Sequence, residues 1–331
     1  MLFNRLVPSL LLMMLVTACS NSQDTTGDGV RVGYLFPMEM SGVAYETETQ
    51  SGTTGRQSEF FYREGETITF SVGGIVLADH VPIKQYMTTL DFEPDLLALI
   101  DAGQVDKLLH LHEELEQTAL NNFRVINKYN FLRALDNDYD TDNGIRISAA
   151  TQEAVLNDPS SGQVDFTINP LDFIDEDSVP SQIVGAICFP IDKDCDETVG
   201  GGRPLSQAAD ILKQFMADRY YDIAGLIFLS PEIFQINASD TRLYTVQIQT
   251  LGLYEKVSEL EVVTADELAQ LGDNPPAIQK DVVGIDSFSV EEGTVSFYAT
   301  GEPGDETEVI VNIKLENDYR WFKKIFRVKL L

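Results

Sequence analysis

The chain has 331 residues, 44% of them hydrophobic and 23% charged, with 23 Gly and 13 Pro. That is a globular composition, and it excludes a disordered, collagen-like or low-complexity protein. Lys and Arg total 23 against 53 Asp and Glu, a net charge of −30, so phosphate backbones and anionic membrane surfaces are repelled and no nucleic-acid partner is expected. The length is a prior for about two or three domains.

At the N-terminus Arg5 precedes the apolar run Leu6–Val16, 11 residues long. That is about half of the roughly 20 that a helix needs to span a bilayer. Charge followed by a short apolar core is the order of an export signal. The run closes at Val16-Thr17-Ala18-Cys19. This tetrapeptide resembles the lipobox of bacterial lipoproteins, in which the signal is cut before the Cys and the Cys thiol and amine are acylated. The resemblance implies a signal peptide over residues 1–18, lipidation at Cys19, and the lipid bilayer as a partner. Ser20 follows the Cys with no Asp there, which in the Gram-negative members implies the outer membrane, with the body periplasmic or at the cell surface. Several acyl chains anchor stably where one does not. The other readings are an ordinary secretory signal with a chance Cys and a short anchor helix. Residues 19–29 are small and polar, which suits a flexible tether.

Export places the other two cysteines, Cys188 and Cys195, in an oxidising compartment, where a disulfide is the expectation. A ring that small is worth about 2.5 kcal/mol on the loop-entropy model. Metal binding by the two thiols is the alternative.

Residues 30–92 read as a β-sandwich-like module, with short alternating runs at Val30–Leu35, Val43–Thr49, Phe60–Tyr62, Thr67–Val72 and Ile75–Leu77 broken by turn signals. The segments SGVAYETETQSGTT (41–54), FFYREGETITFSVGGIVL (60–77) and TTLDF (88–92) are similar to the N-terminal region of a group of Gram-negative exported proteins and lipoproteins. Some of that group are labelled adhesins or solvent-tolerance transport components, and their first module is prealbumin-like. The chain departs from the pattern at Gly55–Ser58, which lacks the usual aspartate-glycine turn, and at Thr89, where proline is common.

Residues 93–150 read as a helical block ending in an Asp-rich loop. Leu96, Leu97, Ile100, Leu108, Leu111 and Leu115 share a face at helical spacing, and Gly103 divides two helices. A further helix is expected over Asn122–Leu135. The segment NFLRALDNDYDTDNGIRI (130–147) matches the second signature of the same group. Residues 134–202 hold 15 acids and two bases. Residues 151–202 are expected to be an acidic irregular connector stapled by the disulfide.

Residues 203–331 read as an α+β region. A helix is expected over Leu205–Tyr221, and strands over Leu226–Leu229 and Leu243–Leu251. From Val282 onward, four runs separated by turn residues predict an antiparallel meander. The last strand carries Arg327 and Lys329 outward, blunting an exposed edge. The predicted fold class is mainly β (α+β).

Catalytic signatures are absent from the sequence. No HExxH, GxSxG, SxxK or GxxxxGK[ST] occurs. Of the three histidines, His80, His110 and His112, the pair His110 and Glu114 is expected on a solvated helix face. The strongest ligand candidate is Asp136, Asp138, Asp140 and Asp142, four hard carboxylates at alternate positions suited to calcium. Read from Asp138, the loop starts like an EF-hand, then fails with Asn143 at position 6 and Ala149 at position 12. The competing reading is an Asx-rich helix exit whose side chains bond the turn backbone. The functional expectation is an outer-membrane-anchored lipoprotein acting non-enzymatically as an adhesin-like surface or envelope interaction module. A periplasm-facing lipid carrier or envelope-assembly factor is the alternative, and a hydrolase with a site assembled only by folding is the third.

Overall fold

The computed structural model describes residues 29–36, 39–104, 112–137, 144–191, 206–264 and 282–331, with the backbone alone at 188–191 and 206–209. The N-terminal unit opens with β1 (Val30–Phe36), β2 (Met40–Ser41), β3 (Ala44–Glu46), β4 (Ser51–Thr53), β5 (Glu59–Arg63), β6 (Thr67–Val72), β7 (Ile75–Pro82) and β8 (Tyr86–Thr88). They form two sheets, ordered β5-β1-β8 and β4-β3-β6-β7. Alternation decides the faces: in β6 Ile68, Phe70 and Val72 are buried and their neighbours half-exposed. The sheets meet through aromatic side chains. Phe60 of one lies 5.5 Å from Phe70 of the other, edge to face, and 6.0 Å from Tyr45.

Helices α1 (Pro94–Gly103), α2 (His112–Leu120) and α3 (Phe123–Ala134) follow. They extend the same core, which takes in Leu96, Ile100, Leu120, Tyr129, Phe131 and Leu132. Gly103 ends α1, as its position in the pattern predicts. A methyl group there would fall 2.8 Å from Leu115 Cδ1, so the small residue lets α1 and α2 approach. Asn122 caps α3 by accepting from the Arg124 amide at 3.0 Å.

Next come β9 (Ile145–Arg146), α4 (Ala149–Asn157), a 3-10 turn (Ser161–Gln163), α5 (Pro170–Phe173), α6 (Val179–Ile191) and α7 (Ser206–Gly225). The expectation of an irregular connector over 151–202 is therefore corrected up to residue 191. Short helices form there because capping side chains fix their starts. Ser148 Oγ accepts from the Thr151 amide, and Asn169 Oδ1 accepts from the Leu171 amide ahead of Pro170. The acids that obscured the pattern face solvent, while Val155, Phe173, Ile183, Val184 and Ile187 enter the core. Helix α7 links two cores: Leu212 and Met216 belong to the first and Ile223 to the second.

The second core lies inside a sandwich built from β10 (Ile227–Ser230), β11 (Ile233–Ile236), β12 (Tyr244–Thr250), β13 (Val257–Val263), β14 (Val283–Ser289), β15 (Thr294–Ala299), β16 (Glu306–Leu315) and β17 (Trp321–Leu330). The four predicted C-terminal strands are all present, but they do not make one meander. They form two hairpins that join opposite sheets, ordered β10-β12-β15-β14 and β11-β17-β16-β13. The chain switches sheets between β15 and β16, where Thr300 and Gly301 amides donate to the Val282 carbonyl and Gly304 donates to Leu330. The interior is filled. Phe234, Phe297 and Phe326 pack ring against ring at 4.9 to 5.9 Å, and each such buried ring contributes roughly 1.5–3 kcal/mol. Arg327 and Lys329 point outward as expected, yet β17 lies between β11 and β16 and is not an edge. Strand exceeds helix among the described residues, 38% against 29%, so the class is mainly β, α+β.

Candidate functional site

The N-terminal unit and the sandwich meet at three loops. One is Ile83-Lys84-Gln85, between β7 and β8. The second runs from Leu251 to Lys256 after β12. The third is the β16–β17 turn, Glu316 to Arg320. Burying charge is costly unless each charge has a partner, and this junction supplies partners, some within one unit and some across the two. Lys84 Nζ pairs with Asp91 Oδ1 at 2.8 Å, both nearly inaccessible. Arg320 Nη2 donates to Asp318 Oδ2 at 2.7 Å and Arg320 Nε donates to Oδ1 at 2.9 Å. The Lys84 ammonium also sits 5.5 Å from the Tyr319 ring centre. Tyr319 O–H donates to Glu116 of α2 at 2.7 Å, and Gln104 donates to the Tyr319 carbonyl. Lys314 bridges Asp101 of α1 and Glu259 of β13 at 2.7 and 2.9 Å.

Gln85 acts as a clasp. Its side chain donates to the Gly252 carbonyl and accepts from the Tyr254 amide, while its own amide donates to the Glu255 carboxylate. Asn317, at φ 58°, reaches across to the Ile83 carbonyl at 3.1 Å. Asn is among the few residues that tolerate that backbone conformation.

A cleft of about 570 Å³ opens beside this clasp, walled by Arg31, Tyr62, Glu64 and Glu66 on one unit and by Glu255, Ser258 and Glu316 on the other. A second hollow, about 290 Å³, lies across Asn317 between α1 and the sandwich. Burial raises the Glu255 carboxyl above the usual carboxylate range, although the Gln85 amide pulls the other way. Lys256 and Arg31 both pair with Glu64 and hold it low. Burial works against the Asp318 charge, but Arg320 and Lys84 outweigh it and keep that carboxyl far below its ordinary value. The arrangement offers hydrogen-bond acceptors and one proton-binding carboxyl in a wall that its own ion pairs hold in place.

Of the junction residues, Tyr62, Glu64, Glu66 and Asp91 fall in the segments that carried the resemblance, and none of them was marked there as a site. Of the sequence candidates, Cys19 and Cys195 lie outside the described residues. Cys188 is placed in α6 by its backbone alone, so the expected disulfide is outside what is described. Asp138, Asp140 and Asp142 also lie outside. Asp136 is buried, and its Oδ1 accepts from the Arg146 amide at 2.8 Å, tying together the two ends of the loop. Among the described residues no group of three or more His, Cys, Asp or Glu is placed to hold a metal ion. His110 lies outside the described residues. Its neighbour His112 is buried, 4.8 Å from the Tyr220 ring, and burial lowers its pKa.

The two signatures that carried the family resemblance meet in space. Met40-Ser41 pairs in parallel with Ile145-Arg146. Gly42, at φ +83°, has room for no Cβ, which would fall 1.9 Å from the Ile147 carbonyl oxygen. Gln152 of α4 then ties this point to the Gly73 turn, donating to the Gly42 carbonyl and accepting from the Gly73 amide. Of the motif glycines, Gly42, Gly73 and Gly144 thus serve close backbone approach. Among the described residues no helix is long and apolar enough to cross a membrane. Comparison with known proteins finds no match to this chain, neither a family model nor a curated protein nor a solved structure.

Proposed function

We propose that this chain is a lipid-anchored outer-membrane protein that works by binding an envelope or extracellular partner, and that the junction cleft is where the partner docks. One observation carries the reading: Lys256–Glu64, Lys314–Asp101 and Tyr319–Glu116 each cross between the two units, so they brace the walls of an open cleft. Rigid, pre-formed walls lower the ordering cost of binding. The lipobox at Val16–Cys19 supports the anchor. The carrier alternative requires an apolar cavity among the strands, and the Phe234, Phe297 and Phe326 cluster fills the sandwich interior, which gives it no support.

The test places a photo-crosslinking residue at Ser258, in the cleft wall, and another at Gln163, on the 3-10 turn outside it. In intact cells Ser258 is expected to give a discrete adduct that Gln163 does not give and that Glu316→Arg removes. Identical adducts from both positions, or none from Ser258, would remove the cleft from consideration. Turnover of ester, glycoside or peptide substrates that Glu255→Gln abolishes would replace binding with catalysis. Palmitate labelling of Cys19→Ala equal to that of the wild type would remove the anchor.

A further inference from the structure

The two faces of the sandwich differ in charge. The strands of the sheet β11-β17-β16-β13 carry nine charged residues, among them Glu259, Glu261, Glu308 and Arg327. The strands of the sheet β10-β12-β15-β14 carry one, Asp286, on the bulge of the edge strand β14, where it accepts from Ser287 Oγ. Val246, Ile248, Val295 and Phe297 point into the core, so their neighbours on each strand form the outer face. The register sets these in rows. Thr245 lies opposite Ser296, and Ser296 opposite Ser287. Gln247 lies opposite Thr294, and Thr294 opposite Ser289. At opposite ends of this hydroxyl and amide field stand Phe228 and Tyr298, each 40% exposed.

A hydrogen-bonding exposed face whose one charge, Asp286, sits on the edge strand is a departure in a chain of net charge −30. We infer that this face binds a neutral polysaccharide. Charge matching selects that ligand class. Anionic polymers are repelled by the acids elsewhere on the chain, and a second copy would set −30 against −30. Cations find carboxylates elsewhere and none in these rows. A neutral glycan brings hydroxyls that both donate and accept, as Ser, Thr and Gln do, and apolar C–H faces that lie flat on exposed rings. Gln249 lies opposite Phe228 and Tyr244 opposite Phe297, so the two rings are separated by roughly 20 Å along β12. That span fits an extended oligosaccharide and not a single sugar. The surface is separate from the junction cleft, so the inference holds or fails independently of the cleft.

The test is affinity electrophoresis of the full chain in detergent through gels containing dextran, mixed-linkage β-glucan or galactomannan, with alginate as the anionic control. Retardation by at least one neutral polymer is expected, unchanged by added salt. Phe228→Ala and Tyr298→Ala should each weaken binding by about tenfold, which is about 1.4 kcal/mol for each stacked ring. Gln247→Glu should weaken it too, while Phe123→Ala on α3 should not. Both ring positions are surface-exposed, and unchanged melting of the variants confirms that the fold is intact. Three results would overturn the inference: no retardation by any of the three neutral polymers, retardation by alginate alone, or retardation that survives Phe228→Ala with Tyr298→Ala. Concentration-dependent self-association abolished by the same two substitutions would give the face to a second copy instead.

Discussion

Asp318 holds two cations with one carboxylate. Arg320 is bonded to it at two points and Lys84 lies nearby, while Asp91 balances Lys84. Removing the charge strands the buried Arg320, while Lys84 keeps Asp91. Asp318→Asn should therefore cost about 3–5 kcal/mol, read as a lower urea midpoint, whereas the apolar pair Asp318→Leu with Arg320→Met should cost less than that. A double variant as unstable as the single one would show that the pair itself, not the stranded charge, is what matters. Glu255 has the opposite linkage. Its folded pKa is raised above the ordinary 4.5, so between 4.5 and that raised value the folded chain binds more protons than the unfolded chain. Stability from this group is then present at low pH and lost as pH rises through the window. Glu255→Gln removes the loss and keeps an acceptor for the Gln85 amide. The variant should melt higher than wild type at pH 7, with the gap closing below about pH 4. An equal gap at both pH values would mean that proton binding at Glu255 is not the cause. Asp318 contributes the reverse slope, since its depressed pKa means stability that disappears as pH falls below 3.8.

Among the elements, the β2–β9 pair depends on glycine at position 42 as well as on the backbone hydrogen bonds that join it. At Gly42 both the positive φ and the Ile147 oxygen oppose a side chain, whereas Gly65, at φ +85°, has nothing within 4 Å. Gly42→Ala should cost about 2–4 kcal/mol and Gly65→Ala about 1 kcal/mol, by thermal or urea unfolding. Equal costs would mean that backbone strain alone governs Gly42. Strands with strict alternation, such as β6 and β12, were readable because one face is buried and period two is then visible. Helices α4 and α5 were not, because each buries only two residues and its start is set by one capping side chain. The meander was misassigned for a related reason. Alternation and turn residues locate strands but do not say which sheet a strand joins. The junction was illegible for a simpler reason: Lys84 and Asp318, or Gln85 and Glu255, are paired only by folding, and no short-range spacing links them.

At the scale of the whole chain, the two cores are connected by more than linkers. Tyr319 of the β16–β17 turn is counted in the first core, α7 enters both, and Gln85, Asn317 and Lys314 bridge the units. Calorimetry should show one cooperative transition, and Lys84→Met combined with Gln85→Ala should split it in two. Two separate transitions in the wild type would mean that the junction does not couple the units. The placement of β17 has a consequence in time. Among the described residues, β11 pairs within its sheet with β17 alone, which the ribosome makes some 85 residues later. Until residues 321–330 arrive, Phe234 and Ile236 lack the strand that pairs with them among the described residues. The chain therefore carries this apolar strand without its partner through about half of the synthesis of its second half. The length of that wait is set by the distance between the two strands in sequence, however stable the finished sandwich is.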